Sequence, residues 1–134
     1  MGKALIIGIG AVLAVNFTAL AFHLYPRVTW LDSALHFLGG ALMAALFFWF
    51  FNRERLPAKP VYKIVLGVSF VMLIGVLWEF AEYTFLNALM DFIFGAEGLP
   101  ATMSDTMADL FLDLLGSAVF AVIYYRHEIR NSWR

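Results

Sequence analysis

Long apolar runs dominate the chain, separated by short polar or glycine- and proline-containing segments. A membrane-spanning helix needs about 20 mainly apolar residues. Four segments reach that length: about Ala4 to Tyr25, Leu31 to Phe51, Val61 to Leu86, and Asp105 to Tyr125. The first stops before Pro26. It is too long for a signal-peptide core and no small-residue cleavage site follows, so it reads as a retained span. Asn52–Pro60, with two prolines and four charges, reads as a loop. The longer connection Asn87–Ser104 holds an apolar, aromatic piece, Ala88–Phe94, with Gly95, Gly98 and Pro100 as breakers. That piece predicts an interfacial helix or a re-entrant turn. The expected fold is a single all-α integral membrane domain over residues 1–134, with four transmembrane helices in two hairpins. Trp30, Trp49, Trp78 and Trp133 fit interfacial belts, and the Phe47–Phe51 run reads as lipid-facing bulk.

Composition agrees. The 134 residues are 63% hydrophobic and 14% charged, against about 25% charged in soluble domains, and mean hydropathy is +0.82. Cysteine is absent, which excludes disulfides and thiolate metal sites. The charges are sorted along the chain. Lys3; Arg53, Arg55, Lys59 and Lys63; and Arg126, Arg130 and Arg134 are eight of the nine basic residues, leaving only Arg27 elsewhere. The positive-inside rule then predicts that both termini and the Asn52–Lys63 connection are cytoplasmic. Of the acids, only Glu54 and Glu128 share that side. These basic residues have no interleaved aromatic patch, so nucleic-acid binding is not indicated. The expected setting is a bacterial inner membrane.

Seven ionisable residues lie inside the apolar segments: Asp32, His36, Glu79, Glu82, Asp105, Asp109 and Asp113. Charged groups in a bilayer are costly and usually functional. Six of the seven are acids and cannot neutralise one another. With both termini cytoplasmic, all fall toward the outer half of the membrane. Asp32 and His36 open the second span, Glu79 and Glu82 end the third, and Asp105, Asp109 and Asp113 open the fourth. At a rise of about 1.5 Å per residue, Asp113 lies roughly 12 Å along its helix from Asp105. The i,i+4 spacings Asp32/His36 and Asp105/Asp109/Asp113 put each set on one helix face.

The second and fourth spans also match one another. Asp32-Ser-Ala-Leu-His36-Phe-Leu-Gly39-Gly40-Ala41 aligns without a gap on Asp109-Leu-Phe-Leu-Asp113-Leu-Leu-Gly116-Ser117-Ala118. An internal repeat of this kind predicts two hairpins about an axis along the membrane normal, with a site between them. Small residues at Gly39, Gly40, Gly116 and Ser117 allow close helix approach. Carboxylates brought together that way are either partly protonated or neutralised by a cation. Oxygen donors suit Mg²⁺, Ca²⁺ or Mn²⁺, and an added imidazole suits Zn²⁺ or Fe²⁺. The expected divalent metal ligands are His36, Glu79, Asp109 and Asp113, with Glu82 and Asp32 at the rim and Asp105 as a further candidate.

Plainer roles exist for some of these residues. Asp32 and Asp105 sit where helix N-caps are expected. Glu82 lies near Tyr83 at headgroup level, Asp91 and Glu97 read as solvated, and His23 reads as interfacial. Asp-x-x-x-His-x-x-Gly at Asp32, His36 and Gly39, Trp-Glu-x-x-Glu at Trp78, Glu79 and Glu82, and Asp-Thr-x-x-Asp-x-x-x-Asp-x-x-Gly at Asp105, Thr106, Asp109, Asp113 and Gly116 together resemble the YjdF-like bacterial inner-membrane proteins. More distantly they resemble VanZ-like proteins, which are linked to glycopeptide resistance. The resemblance covers the last three spans and supports the site residues more than it supplies a reaction.

Three functions compete. The first is an outward-facing divalent-cation site for ion binding or permeation, with several copies assembling as a homo-oligomer because four short helices barely enclose a pathway. The second is a membrane-embedded metal-dependent hydrolase or transferase acting on a lipid or envelope substrate, with Glu79 or Glu82 as general base. It requires a substrate cavity open to the outer leaflet and large enough for a headgroup. The third is a structural or accessory subunit whose acids are protonated and hydrogen-bonded.

Overall fold

The computed structural model describes residues 2–54, 57–94 and 102–132. They form α1 (Gly2–Ala21), α2 (Leu31–Arg53), α3 (Pro60–Ala81), a π-helical turn (Glu82–Leu86), α4 (Asn87–Phe94) and α5 (Met103–Ser132). α1, α2, α3 with its π turn, and α5 are long and apolar enough to cross a membrane. The protein is all-α, with four membrane-length helices and no strand among the described residues.

Helix ends follow local chemistry more closely than hydropathy. α1 stops at Ala21, short of Tyr25. The Leu24 amide donates to the Ala19 carbonyl at 2.8 Å and the His23 amide to Leu20 at 3.2 Å. His23 adopts a left-handed φ of 50°. These are the paired bonds of a Schellman C-cap, and Leu24 packs against the cluster of Ala19, Tyr25 and Leu35. His23 is therefore an exposed turn residue, and Tyr25 folds back to become 8% exposed. α3 opens at Pro60, whose fixed φ and missing N–H suit a first helical position. α2 is capped by Trp30 without a side-chain bond. At α5 the Asp105 amide donates to Thr102 Oγ1 at 3.2 Å. Neither Asp32 nor Asp105 is thus an N-cap; both sit in a first turn, where a negative charge complements the helix dipole. Residues 88–94 are helical, within α4. Arg55, Gly95, Glu97, Gly98, Pro100, Trp133 and Arg134 lie outside the described residues, as does the side chain of Asp91.

The packing is that of a protein whose solvent is hydrocarbon. Leu73, Leu77, Phe111 and Val122 face outward, while the buried positions include many small and polar residues. On α2 the buried stripe is His36, Gly40, Ala44 and Phe48; on α3, Gly67, Val71 and Gly75. On α5 it is Asp109, Asp113, Ser117 and Ala121. Each stripe steps by four residues, so each marks one helix face. Continued by one turn, the α3 stripe reaches Glu79.

α2 and α5 run parallel. His36 meets Asp113 at one end, and the Asn52 amide donates to the Tyr124 hydroxyl at the other. Between these contacts the backbones touch. A Cβ on Gly116 would lie 2.1 Å from the Phe37 carbonyl oxygen, and one on Gly40 would lie 2.3 Å from that of Asp113. Gly39, by contrast, has nothing within 4 Å of a Cβ position. Toward the basic end, Phe48 stacks on Tyr124 with centroids 4.5 Å apart. Phe48 and Phe51 are core residues at 2% and 7% exposure, while Phe50 in the same run is 54% exposed. The run is lipid-facing only in part, because consecutive helical residues point to different faces. α3 packs on both α2 and α5. α1 packs on α2 and reaches α4, while its backbone stays more than 8 Å, Cα to Cα, from α3 and α5 among the described residues.

Candidate metal centre

The buried stripes of α2, α3 and α5 end at the same level, and their last polar members meet around one imidazole. His36 is 6% exposed. Its Nε2 lies 3.8 Å from Glu79 Oε1 and 3.9 Å from Asp32 Oδ1. Its Nδ1 lies 3.5 Å from Asp113 Oδ2. The two Nε2 separations exceed the usual length of a charge-assisted hydrogen bond, about 2.7–2.9 Å. They match the edges of a coordination polyhedron, since ligands about 2.0–2.4 Å from one ion sit roughly 3–4 Å apart.

Two groups of possible ligands share His36. Donor atoms of Asp32, His36 and Asp109 all lie within 4.8 Å of one another, and so do those of His36, Glu79 and Glu82. Asp113 belongs to neither. It holds the opposite ring nitrogen, the position from which a carboxylate fixes the tautomer and orientation of a metal-binding histidine. Gly75 makes that placement possible, because a Cβ there would fall 2.5 Å from Asp113 Oδ2. Asp105 is exposed on the first turn of α5 and joins neither group. Glu79 Oε1 is buried without a hydrogen-bond partner, while Thr106 faces the Glu79 carboxylate. Glu82 begins the π turn, a widened turn that often marks functional sites. Five carboxylates and one imidazole therefore converge, and among the described residues the imidazole is the basic partner in each ion pair around them.

Charge spacing alone does not point to Asn16 and Tyr25, which the fold brings to the same place. Tyr25 donates its hydroxyl to Asn16 Oδ1. Burial, followed by the Asp32, Glu82 and Asp109 carboxylates, pushes the Tyr25 phenol above its ordinary pKa. The available sequence signal was Asn16 itself, an amide inside an otherwise apolar run. Asn16, Asp32, His36 and Asp113 are also among the residues lining a mainly apolar cavity of about 260 Å³ between α1 and α3.

Residues 3–130 match a family model described as predicted membrane protein, DUF2238. The chain belongs to this family. It is also 32% identical over 116 residues to an uncharacterized protein of Thermotoga maritima, covering 82% of this chain and 56% of the relative. The chain thus spans little more than half the length of that relative. No solved structure matches. The family assignment covers every residue of the cluster and agrees with the four membrane-length helices.

Proposed function

We propose that this DUF2238 protein binds a divalent cation inside the membrane through His36, Glu79, Glu82, Asp32 and Asp109, with Asp113 orienting the imidazole. The observation that carries the proposal is the sharing of His36 by two groups of donors, each compact enough to surround an ion. A bound cation would also neutralise carboxylates that share a single imidazole as their basic partner. One imidazole among carboxylates suits Mn²⁺, Fe²⁺ or Zn²⁺ as well as Ca²⁺ or Mg²⁺. The basic residues put the opposite end of the helices in the cytoplasm, so the site faces outward from a bacterial inner membrane. The likeness to YjdF-like and VanZ-like motifs supports the same residues, and the equivalence of Asp32 with Asp109 and of His36 with Asp113 supports an origin by repetition.

The packing favours a closed site over a pathway. Toward the basic end, the seam beyond the cluster is filled by the Gly40 and Gly116 backbone contacts and by Phe48, Phe120 and Tyr124. Conduction would therefore need a passage between several copies. The apolar cavity beside the cluster favours the second function, a metal-dependent hydrolase or transferase acting on a lipid or envelope substrate. A bound cation would supply Lewis-acid activation there. Whichever of Glu79 and Glu82 is not engaged by the cation would accept the proton.

Elemental analysis of the purified protein tests the proposal. A near-stoichiometric divalent metal is expected, lost in His36→Ala and in the Glu79→Gln, Glu82→Gln double variant. Wild-type protein carrying no metal above its buffer, and showing no thermal shift with Mn²⁺, Zn²⁺ or Ca²⁺, would leave the acids a purely structural role.

A further inference from the structure

The two donor groups at His36 do not merge. One ion holds its ligands about 2.0–2.4 Å away, so any two of them stand no more than about 4.8 Å apart. Asp32, His36 and Asp109 meet that limit, as do His36, Glu79 and Glu82, but no group of four does among the described residues. An ion seated in one group therefore leaves the carboxylates of the other without a cation.

The imidazole sharpens this division. Its Nδ1 faces Asp113, so only Nε2 is left for an ion, and that nitrogen has a single lone pair. His36 can serve one position at a time. The glutamate flank has the greater need of it. Glu79 Oε1 is buried without a hydrogen-bond partner, whereas the Asp32 side chain across the ring is 30% exposed and open to water.

Asp109 supplies a second, independent observation. It is 5% exposed, yet its carboxylate makes no hydrogen bond or ion pair among the described residues. Charged groups buried so deeply are paired or bound to a metal. Once Nε2 is committed to the glutamate flank, the imidazole cannot be that partner. Charge leads to the same place. One divalent cation among five carboxylates leaves three negative charges, and a second leaves one, that of Asp113 against the Nδ1–H. Uncompensated charge in a bilayer is costly.

We propose that the centre holds two divalent cations, the first on His36 Nε2 and the Glu79–Glu82 flank, the second between Asp32 and Asp109 with water completing its shell. This rests on the cation-binding reading above and divides its donors between two ions. The donor types give the ions different chemistry. The first position, with its imidazole, suits Mn²⁺, Fe²⁺ or Zn²⁺. The second has oxygen donors only and suits Mg²⁺ or Mn²⁺, since Mg²⁺ is held by one or two carboxylates and keeps several waters. It is the weaker position, and it empties during purification while the first stays filled. Both positions adjoin one imidazole, which brings the ions near the separation of about 3.5–4 Å found in two-metal centres.

The test uses the full chain in detergent micelles, dialysed to equilibrium against graded Mn²⁺, with bound metal counted by elemental analysis. Uptake by the wild type should plateau at two ions per chain. The plateau should fall to one in the Asp32→Asn, Asp109→Asn double variant and stay at two in Asp105→Asn. As the second ion binds, the electron paramagnetic resonance signal of isolated Mn²⁺ should give way to that of an exchange-coupled pair. A wild-type plateau at one ion would overturn the second position and keep the centre, whereas no uptake at all would sink both. Two ions that stay magnetically isolated, or a plateau unchanged in the double variant, would put the second ion elsewhere and overturn the proposal as well. If the double variant does not fold, the wild-type plateau and spectrum decide.

Discussion

Replacing Gly116 by alanine tests the closest contact in the fold and, through it, the centre. The new Cβ would stand 2.1 Å from the Phe37 carbonyl oxygen, 3.0 Å from its carbon and 3.1 Å from the Ala41 nitrogen. These are backbone atoms, and no rotamer change can move them. α2 and α5 must separate by about 1.3 Å at this point to restore ordinary contact at 3.4 Å. Overpacking of this kind costs about 1–3 kcal/mol. Asp113 lies one turn away, so its 3.5 Å approach to His36 Nδ1 would be lost as well. Loss of an orienting partner typically weakens metal binding about 10–100-fold. Gly39→Ala is the control, because the same group enters open space and alanine favours helix over glycine by about 1 kcal/mol. The helix-propensity gain is common to both variants, so they should differ by the overpacking cost alone, about 1–3 kcal/mol, in reversible unfolding by denaturing detergent in mixed micelles, followed by tryptophan fluorescence. Equal stability, within about 0.5 kcal/mol, would refute the backbone contact between α2 and α5.

Three further outcomes follow from the geometry. Asp113→Asn should weaken metal binding about 10–100-fold by freeing the imidazole, whereas Asp105→Asn should leave affinity within about two-fold because Asp105 joins neither donor group; isothermal titration with Mn²⁺ would compare them, and equal losses would contradict the separate roles. The raised Tyr25 pKa means that the folded protein holds the phenolic proton more tightly than the unfolded chain. Stability should then be unaffected below the ordinary phenol value near 10 and should fall as pH rises above it; Tyr25→Phe should flatten that fall in alkaline melts monitored by tyrosinate absorbance. Single cysteines introduced at Lys3 and at Arg126 should both be shielded from a membrane-impermeant maleimide in intact cells, while one at Arg27 should react. Labelling of Lys3 but not Arg126 would place the ends on opposite sides.

Much of this protein is local and can be read along the chain. Span length and hydropathy require only counting, so four membrane-length helices are legible, as is the shared level of the acids. The i,i+4 spacing of Asp109 and Asp113, like that of Asp32 and His36, fixes a face without saying what it meets. Helix rotation and crossing settle that. In the aligned stretches Gly39 and Gly116 are equivalent, yet the α2–α5 crossing buries one against backbone and leaves the other in open space. His36 and Asp113 are likewise aligned, yet one is the hub and the other holds its far nitrogen. The Schellman turn at His23 returns Tyr25 to Asn16, making a polar pair from residues that charge patterning passes over. The sequence by itself determined which residues are too polar for the bilayer. Tertiary structure decided which of them share an ion's reach, because donor sets depend on ångström-scale distances between helices that no spacing within one helix controls.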